Sequence, residues 1–268
     1  MWIKKSMPAL PGYESLGDSA EAKRWLDFNL GELLAADDDL LDYITSKTPG
    51  SGLGIETRED ICNFVISAFD YPMVRGIPTD CHRNNWFSGL SCHQVTQDFF
   101  QTASETLRTL RLNQRIGKKG YGDCEDCAAL FVTLFLMKKW QAWDCIGAVY
   151  QNARLLGYHS FAIFEGEAEN NRLYEATLSE PPAYPSGYPK INPEATEWQV
   201  GPLTYQGFAK FNREEYYENE EAEDPLKALR IGLRGKETRK KHEAITKAWG
   251  IKTKPLRRPG LLTKLRWR

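Results

Sequence analysis

The order of apolar and polar residues along the chain predicts a protein that mixes helices and strands. The most apolar stretch, CEDCAALFVTLFLMKKW from residue 124, predicts a buried helix. Three short β-like segments follow at 145–151, 158–165 and 171–178, with turn-like connections between them. One helix followed by an antiparallel meander predicts an α+β fold, with the helix packed on the sheet.

Further helices are predicted upstream of this region. Residues 18–47 carry apolar residues at helical spacing, and a helix begins at Thr57, with Asp60 three residues later as its capping partner. Residues 95–112 predict a weaker helix. Residues 71–93 have no periodicity, so we expect a long loop there.

Composition predicts three domains. A Pro-Gly-Ser-Gly loop at 49–52 separates an N-terminal helical extension, residues 1–50, from a central domain over residues 51–212. Residues 213–268 are predicted to form a C-terminal tail that is first acidic and then basic. From Lys227 onward this tail has 15 Lys or Arg against two acids, an asymmetry that the net charge of −1 for the whole chain hides.

The composition also argues against secretion and membrane insertion. The N-terminal sequence MWIKKSMPALPGY has charge but no apolar core of a signal peptide. The longest central apolar run without charge, Cys127–Met137, is too short to span a bilayer. Six cysteines are therefore expected as reduced thiols in a cytoplasmic protein with no membrane partner, because disulfide frameworks are typical of short secreted chains.

Cys124 stands where a nucleophilic thiol benefits most from a helix. It follows the turn Gly122-Asp123, in which Asp123 can act as the N-cap. A helix N-terminus favours negative charge, and its N–H groups can bind a developing oxyanion. Cys124 is therefore the candidate nucleophile, and the alternative is a buried core cysteine.

His159 and Glu175 are the candidate base and orienting acid. His159 shares one face of its predicted strand with Phe161, and Glu175 shares one face of the next strand with Leu173. A hairpin through 166–170 would place His159 and Glu175 side by side. A carboxylate beside a histidine fixes its tautomer, as in a catalytic triad. The alternatives are a hydrogen-bonded strand histidine and an exposed strand carboxylate.

Three motifs occur in order along the chain: GDCED at 122–126, YHSFA at 158–162 and LYEAT at 173–177. In this order they resemble the transglutaminase-like superfamily, most of all the bacterial transglutaminase-like cysteine proteinases. The segment FQTASETL at 100–107 resembles the one that precedes the cysteine in those proteins. The resemblance covers roughly residues 57–180.

The resemblance implies a papain-like fold and acyl transfer through a thioester, with peptide hydrolysis by a Cys-His-Glu triad as the expected reaction. A protein-glutamine transglutaminase or amidase on the same triad is the alternative. Gln101 and the N–H of Cys124 would be the oxyanion donors. The sequence departs from the family at Glu175, where Asp is usual, and at Cys127, where an aromatic residue is usual.

No cofactor is required by this reaction, but some family members hold calcium with acids around the cysteine. Asp123, Glu125 and Asp126 are the candidate calcium ligands here.

Two non-catalytic interpretations remain open from the sequence. Zinc could be held by Cys81, Cys92, Cys124 and Cys127, since the last two have the C-x-x-C spacing of a zinc knuckle. The basic tail could contact nucleic acid or an acidic protein surface. The alternative without a binding function is a solvated tail, or a tail that folds onto the acidic remainder of the chain.

Overall fold

A seven-stranded antiparallel sheet forms the centre of the structure. The computed structural model describes residues 1–8, 29–45, 54–70, 102–114, 119–222 and 235–251. The strands are β1 (Trp2–Lys5), β2 (Phe69–Asp70), β3 (Gly120–Tyr121), β4 (Ala142–Gln151), β5 (Arg154–Glu165), β6 (Asn171–Tyr174), β7 (Glu197–Val200), β8 (Leu203–Phe211) and β9 (Tyr216–Asn219). The order in the sheet is β1-β9-β8-β4-β5-β6, with β7 paired to β8, and β2 and β3 form a separate parallel pair.

Four of the five described α-helices precede strand β4 in the sequence. They are α1 (Asp38–Thr45), α2 (Arg58–Ala68), α3 (Ala103–Gln114), α4 (Cys124–Met137) and α5 (Gly235–Ala248), with short 3₁₀ helices at Leu30–Leu34 and Glu167–Glu169. None of them is both long and apolar enough to cross a membrane.

The described part of the predicted helical segment 18–47 contains two short elements, the 3₁₀ helix at Leu30–Leu34 and α1. Thr57 and Asp60 form the predicted capping box at the start of α2. The weak helix expected over 95–112 is observed as α3 from Ala103 onward, whereas residues 95–101 and the expected loop over 71–93 lie outside the described residues.

Helix α4 packs on the sheet as the sequence predicts, which confirms the α+β fold class. It contacts β4 and β5, and α2 and α3 flank it on its other sides. Phe131 lies 5.5 Å from Phe164 of β5 and stacks on Tyr174 of β6, with 3.6 Å between the ring centroids. Most of the helix is buried, which explains why its sequence is apolar all round rather than along one stripe.

The two ends of the chain contribute to this same sheet. Strand β1 pairs with β9 antiparallel, with Trp2 opposite Asn219. Helix α5 packs against β5 and β8. The division into three domains stays a prediction, but both of its outer segments supply a strand to the central sheet. The sequence did not predict these strands, because both are short and β1 forms only by pairing with the distant β9.

Candidate active site

Cys124 lies at the first turn of α4, as the sequence predicts. Asp123 is the N-cap and forms a capping box with Asp126, whose Oδ2 accepts the N–H of Asp123 at 3.4 Å. A Cβ at Gly122 would come within 3.0 Å of the Cys127 sulfur, so glycine allows the preceding turn to pack on the helix. The Cys124 thiol is buried and donates to Glu125 Oε2 at 3.2 Å.

His159 and Glu175 are in direct contact. His159 Nε2 lies 2.7 Å from Glu175 Oε2, and both side chains are buried. Strand β6 pairs with β5 so that Leu173 is opposite Ile163, which places His159 and Glu175 diagonally on one face of the sheet. The predicted juxtaposition of these two residues is confirmed. Glu175 directly follows β6, whereas the sequence predicted a strand that continues to residue 178.

Three further donors hold the carboxylate of Glu175. Thr177 donates its backbone N–H and its hydroxyl to Oε1, and the Tyr205 hydroxyl donates to Oε2 at 2.8 Å. Burial raises the pKa of Glu175, but the His159 ring and the hydrogen bonds from Thr177 and Tyr205 outweigh it and bring the pKa to about 2. Glu175 is therefore an ionised carboxylate beside the histidine.

The second ring nitrogen of His159 faces helix α5. Lys241 Nζ lies 3.3 Å from His159 Nδ1 and donates to the Tyr158 carbonyl at 2.7 Å. An ammonium group only donates, so Nδ1 is the acceptor and the ring proton is on Nε2, directed at Glu175. Burial lowers the pKa of His159, and Lys241 lowers it further, against the opposing effect of Glu175. The imidazole is therefore neutral.

Helix α4 packs on one face of β5, and the His159 side chain lies on the opposite face. Phe164 contacts Phe131 of α4, whereas the His159 ring lies 6.3 Å from that of Tyr205. Side chains alternate along a strand, so residues 159 and 164 point to different faces. Within the described residues, the hydrogen bonds of the His159 ring go to Glu175 and Lys241, and not to Cys124. The catalytic roles of the three residues stay a prediction.

Cys127 has the properties of a packing residue. It is buried, and burial raises the pKa of its thiol well above the ordinary value, with Asp126 and Asp123 adding to the effect. The other predicted ligands of a zinc site, Cys81 and Cys92, lie outside the described residues, as does Gln101, the predicted oxyanion donor.

The three candidate calcium ligands lie together. One oxygen from each of Asp123, Glu125 and Asp126 falls within a group less than 4.8 Å across, and all three residues are buried. Such oxygen donors fit calcium, although Asp126 Oδ2 and Glu125 Oε2 already accept the internal bonds of the helix start. Bound calcium would neutralise charge beside Cys124, and this assignment stays a prediction.

Sequence reasoning missed the residues that are far along the chain but contact the pair of His159 and Glu175, here called the dyad. Tyr205 comes from β8, and the indole N–H of Trp249, just after α5, donates to its hydroxyl at 3.0 Å. Lys241, Ile245 and Trp249 recur every four residues, and this spacing is the signal in the basic tail that could have indicated a buried helix face.

Comparison with known proteins gives one distant structural likeness. No protein-family model matches the chain, and neither does any curated protein. A crystal structure from Cytophaga hutchinsonii, named a "putative cysteine protease", is similar over 72% of this chain and 59% of its own, with 16% identity and a TM-score of 0.29. The chain therefore spans less than two thirds of the length of that protein.

Proposed function

We propose that this protein is a cysteine-dependent acyl-transfer enzyme that cleaves peptide or side-chain amides, most readily by hydrolysis. The observation that carries the proposal is the buried pair of His159 and Glu175, in which an ionised carboxylate fixes the tautomer of a neutral imidazole. This pair is the base and orienting acid of a triad. Cys124, at the N-terminus of α4, is the proposed nucleophile.

Each group has one step in the proposed reaction. The Cys124 thiol transfers its proton to His159 Nδ1, since Nε2 is directed at Glu175. The sulfur then attacks the carbonyl carbon, and first-turn N–H groups of α4 stabilise the oxyanion. His159 returns the proton to the leaving amine as the C–N bond breaks. Water then attacks the thioester, His159 accepts its proton, and the acid product leaves as the thiol re-forms.

The proposal is tested with p-nitrophenyl acetate, because the natural substrate is not needed to detect the acyl-enzyme. We expect release of p-nitrophenolate and an acetyl group on Cys124, located by mass spectrometry of the digested protein. Cys124→Ala should abolish this adduct, and Cys127→Ala, the matched control, should leave it unchanged. Acetylation spread over several thiols would contradict the proposal. So would a total acetylation of the Cys124→Ala protein equal to that of the original protein.

The same assay separates hydrolysis from transamidation. After acetylation of Cys124, the adduct decays by attack of water or of an added primary amine such as methylamine. Faster decay with methylamine, together with N-methylacetamide as product, would favour a transglutaminase over a hydrolase. Decay at the same rate with and without the amine would favour the hydrolase.

A further inference from the structure

The ammonium group of Lys241, on helix α5, lies beside His159 Nδ1, the nitrogen that accepts the thiol proton in the proposed reaction. Lys241 is 1% exposed, and its ammonium group lies between the Tyr158 carbonyl and His159 Nδ1. With Nε2 bound to Glu175, both ring nitrogens of His159 are engaged. A thiol cannot pass its proton to a nitrogen whose lone pair already accepts a hydrogen bond.

The surroundings of Lys241 are unusual for a buried lysine. Within the described residues it makes no ion pair with a carboxylate, and its partners are a carbonyl oxygen and an imidazole nitrogen. Buried charges are costly unless they are paired and fully hydrogen-bonded. A purely structural position on this helix face would be better served by an apolar residue, such as the buried Ile245 one turn later.

The residue just after α5, Trp249, also reaches the dyad through Tyr205. Trp249 donates to Tyr205, which in turn donates to Glu175, and the Trp249 ring packs edge-on against Tyr188 at 6.2 Å. The segment from Lys241 to Trp249 thus contacts the proposed base and, through Tyr205, its acid partner. His159 and Cys124 are 4% and 2% exposed, so both side chains are shielded from solvent in this arrangement.

We propose that α5 is a built-in inhibitory segment, in which Lys241 occupies the proton-accepting nitrogen of His159 most of the time and so slows the reaction of Cys124 until the helix moves away. The inference rests on the function proposed above and adds its regulation. Displacing α5 withdraws the ammonium from Nδ1 and frees that nitrogen to accept the thiol proton.

The test measures the rate at which iodoacetamide alkylates Cys124 in the full-length protein, followed by mass spectrometry. Lys241→Met keeps the length of the side chain and removes the charge and the donor. We expect alkylation of Cys124 to become about tenfold faster or more. Lys240→Met is the matched control, because Lys240 is the exposed neighbour on the same helix, and it should leave the rate unchanged.

A second substitution distinguishes a failure of the inference from a failure of the proposed function. In the Lys241→Met protein, adding His159→Gln should return the alkylation rate to a low value. A rate that stays high would overturn the inference, because Lys241 would then restrict access rather than engage the base. No effect of Lys241→Met, with slower alkylation in His159→Gln alone, would overturn the inference and leave the proposed function standing. No effect of either substitution would overturn both.

A measurement on the unaltered protein covers the case in which Lys241→Met does not fold. Nitrogen-15 NMR of the histidine rings should show His159 with the proton on Nε2 and an unprotonated Nδ1. A His159 that carries its proton on Nδ1 cannot accept from Lys241, and this result would overturn the inference.

Discussion

His159 Nε2 and Glu175 Oε2 are 2.7 Å apart in a part of the protein from which solvent is excluded. The imidazole N–H stabilises the ionised carboxylate, and the carboxylate holds the ring in one tautomer. Thr177 and Tyr205 complete the hydrogen bonds of the carboxylate. This pair is the best-defined polar element of the candidate site.

Glu175→Gln should slow acylation of Cys124 strongly, because the amide keeps the shape of the side chain but loses the charge that supports an imidazolium. Loss of the corresponding carboxylate charge in a serine-protease triad costs about 10⁴-fold in kcat. The rate of p-nitrophenolate release measures it. Glu165→Gln, at the far end of β5, is the control and should keep the original rate. Equal rates in the Glu175→Gln and original proteins would remove Glu175 from the triad.

The contribution of Glu175 to folding stability should depend on pH. Its pKa falls from an ordinary 4.5 in the unfolded chain to about 2 in the folded protein. The unfolded state therefore binds the proton first as the pH drops, so stabilisation is complete above about pH 4.5 and is lost between there and about pH 2. At pH 7 the shift corresponds to about 3 kcal/mol.

Urea unfolding of the original and Glu175→Gln proteins at pH 7 and pH 3 measures this effect. The difference in the free energy of unfolding should shrink as the pH falls. A difference that is the same at both pH values would mean that Glu175 is not ionised in the folded protein.

Tyr205→Phe should destabilise the protein by about 1–2 kcal/mol, because it removes the hydroxyl that joins Trp249 to Glu175. Tyr217→Phe is the matched control, since its ring packs near Lys210 and no hydrogen bond of its hydroxyl is found within the described residues. Denaturant unfolding of both variants measures the difference. Equal losses in the two variants would argue against a bridging role for Tyr205.

Gly147→Ala should disturb both the sheet and the site. Gly147 pairs with His159 on β5 and with Gly207 on β8. A Cβ at this position would overlap the backbone carbonyl of Gln206, which cannot move without breaking the pairing of the strands. We expect a loss of about 2–4 kcal/mol in stability and slower acylation of Cys124. An alanine variant with unchanged stability and unchanged acylation would contradict this packing.

Local sequence patterns predicted the elements that carry the candidate site. The N-cap Asp123, the buried helix after it and the strand that carries His159 depend on neighbouring residues, so periodicity and capping rules find them. The contact between His159 and Glu175 followed from alternation across one short hairpin.

Periodicity, capping and alternation did not predict contacts between segments that are far apart in the sequence. Lys241 stands in a run of basic residues that looks like a solvated tail, and only packing against β5 gives its side chain a buried partner. Strands β1 and β9 are short, and β1 is recognisable only by its pairing with β9, which in turn pairs with β8. The relation of Cys124 to the dyad depends on which face of β5 each element uses, and a sequence pattern does not specify this.

The most direct test of the account compares the reactivity of the cysteines in one sample. The protein is treated with limiting iodoacetamide, and the labelling of each cysteine is followed by mass spectrometry in the original and His159→Gln proteins. Cys127 and Cys145 are the internal references, because burial raises the pKa of both thiols well above the ordinary value. We expect Cys124 to label fastest of the three, and His159→Gln to slow the labelling of Cys124 alone. If Cys124 labels no faster than Cys127, or becomes reactive only after a chelator is added, Cys124 is a structural or metal-binding residue and the proposed enzyme function is wrong.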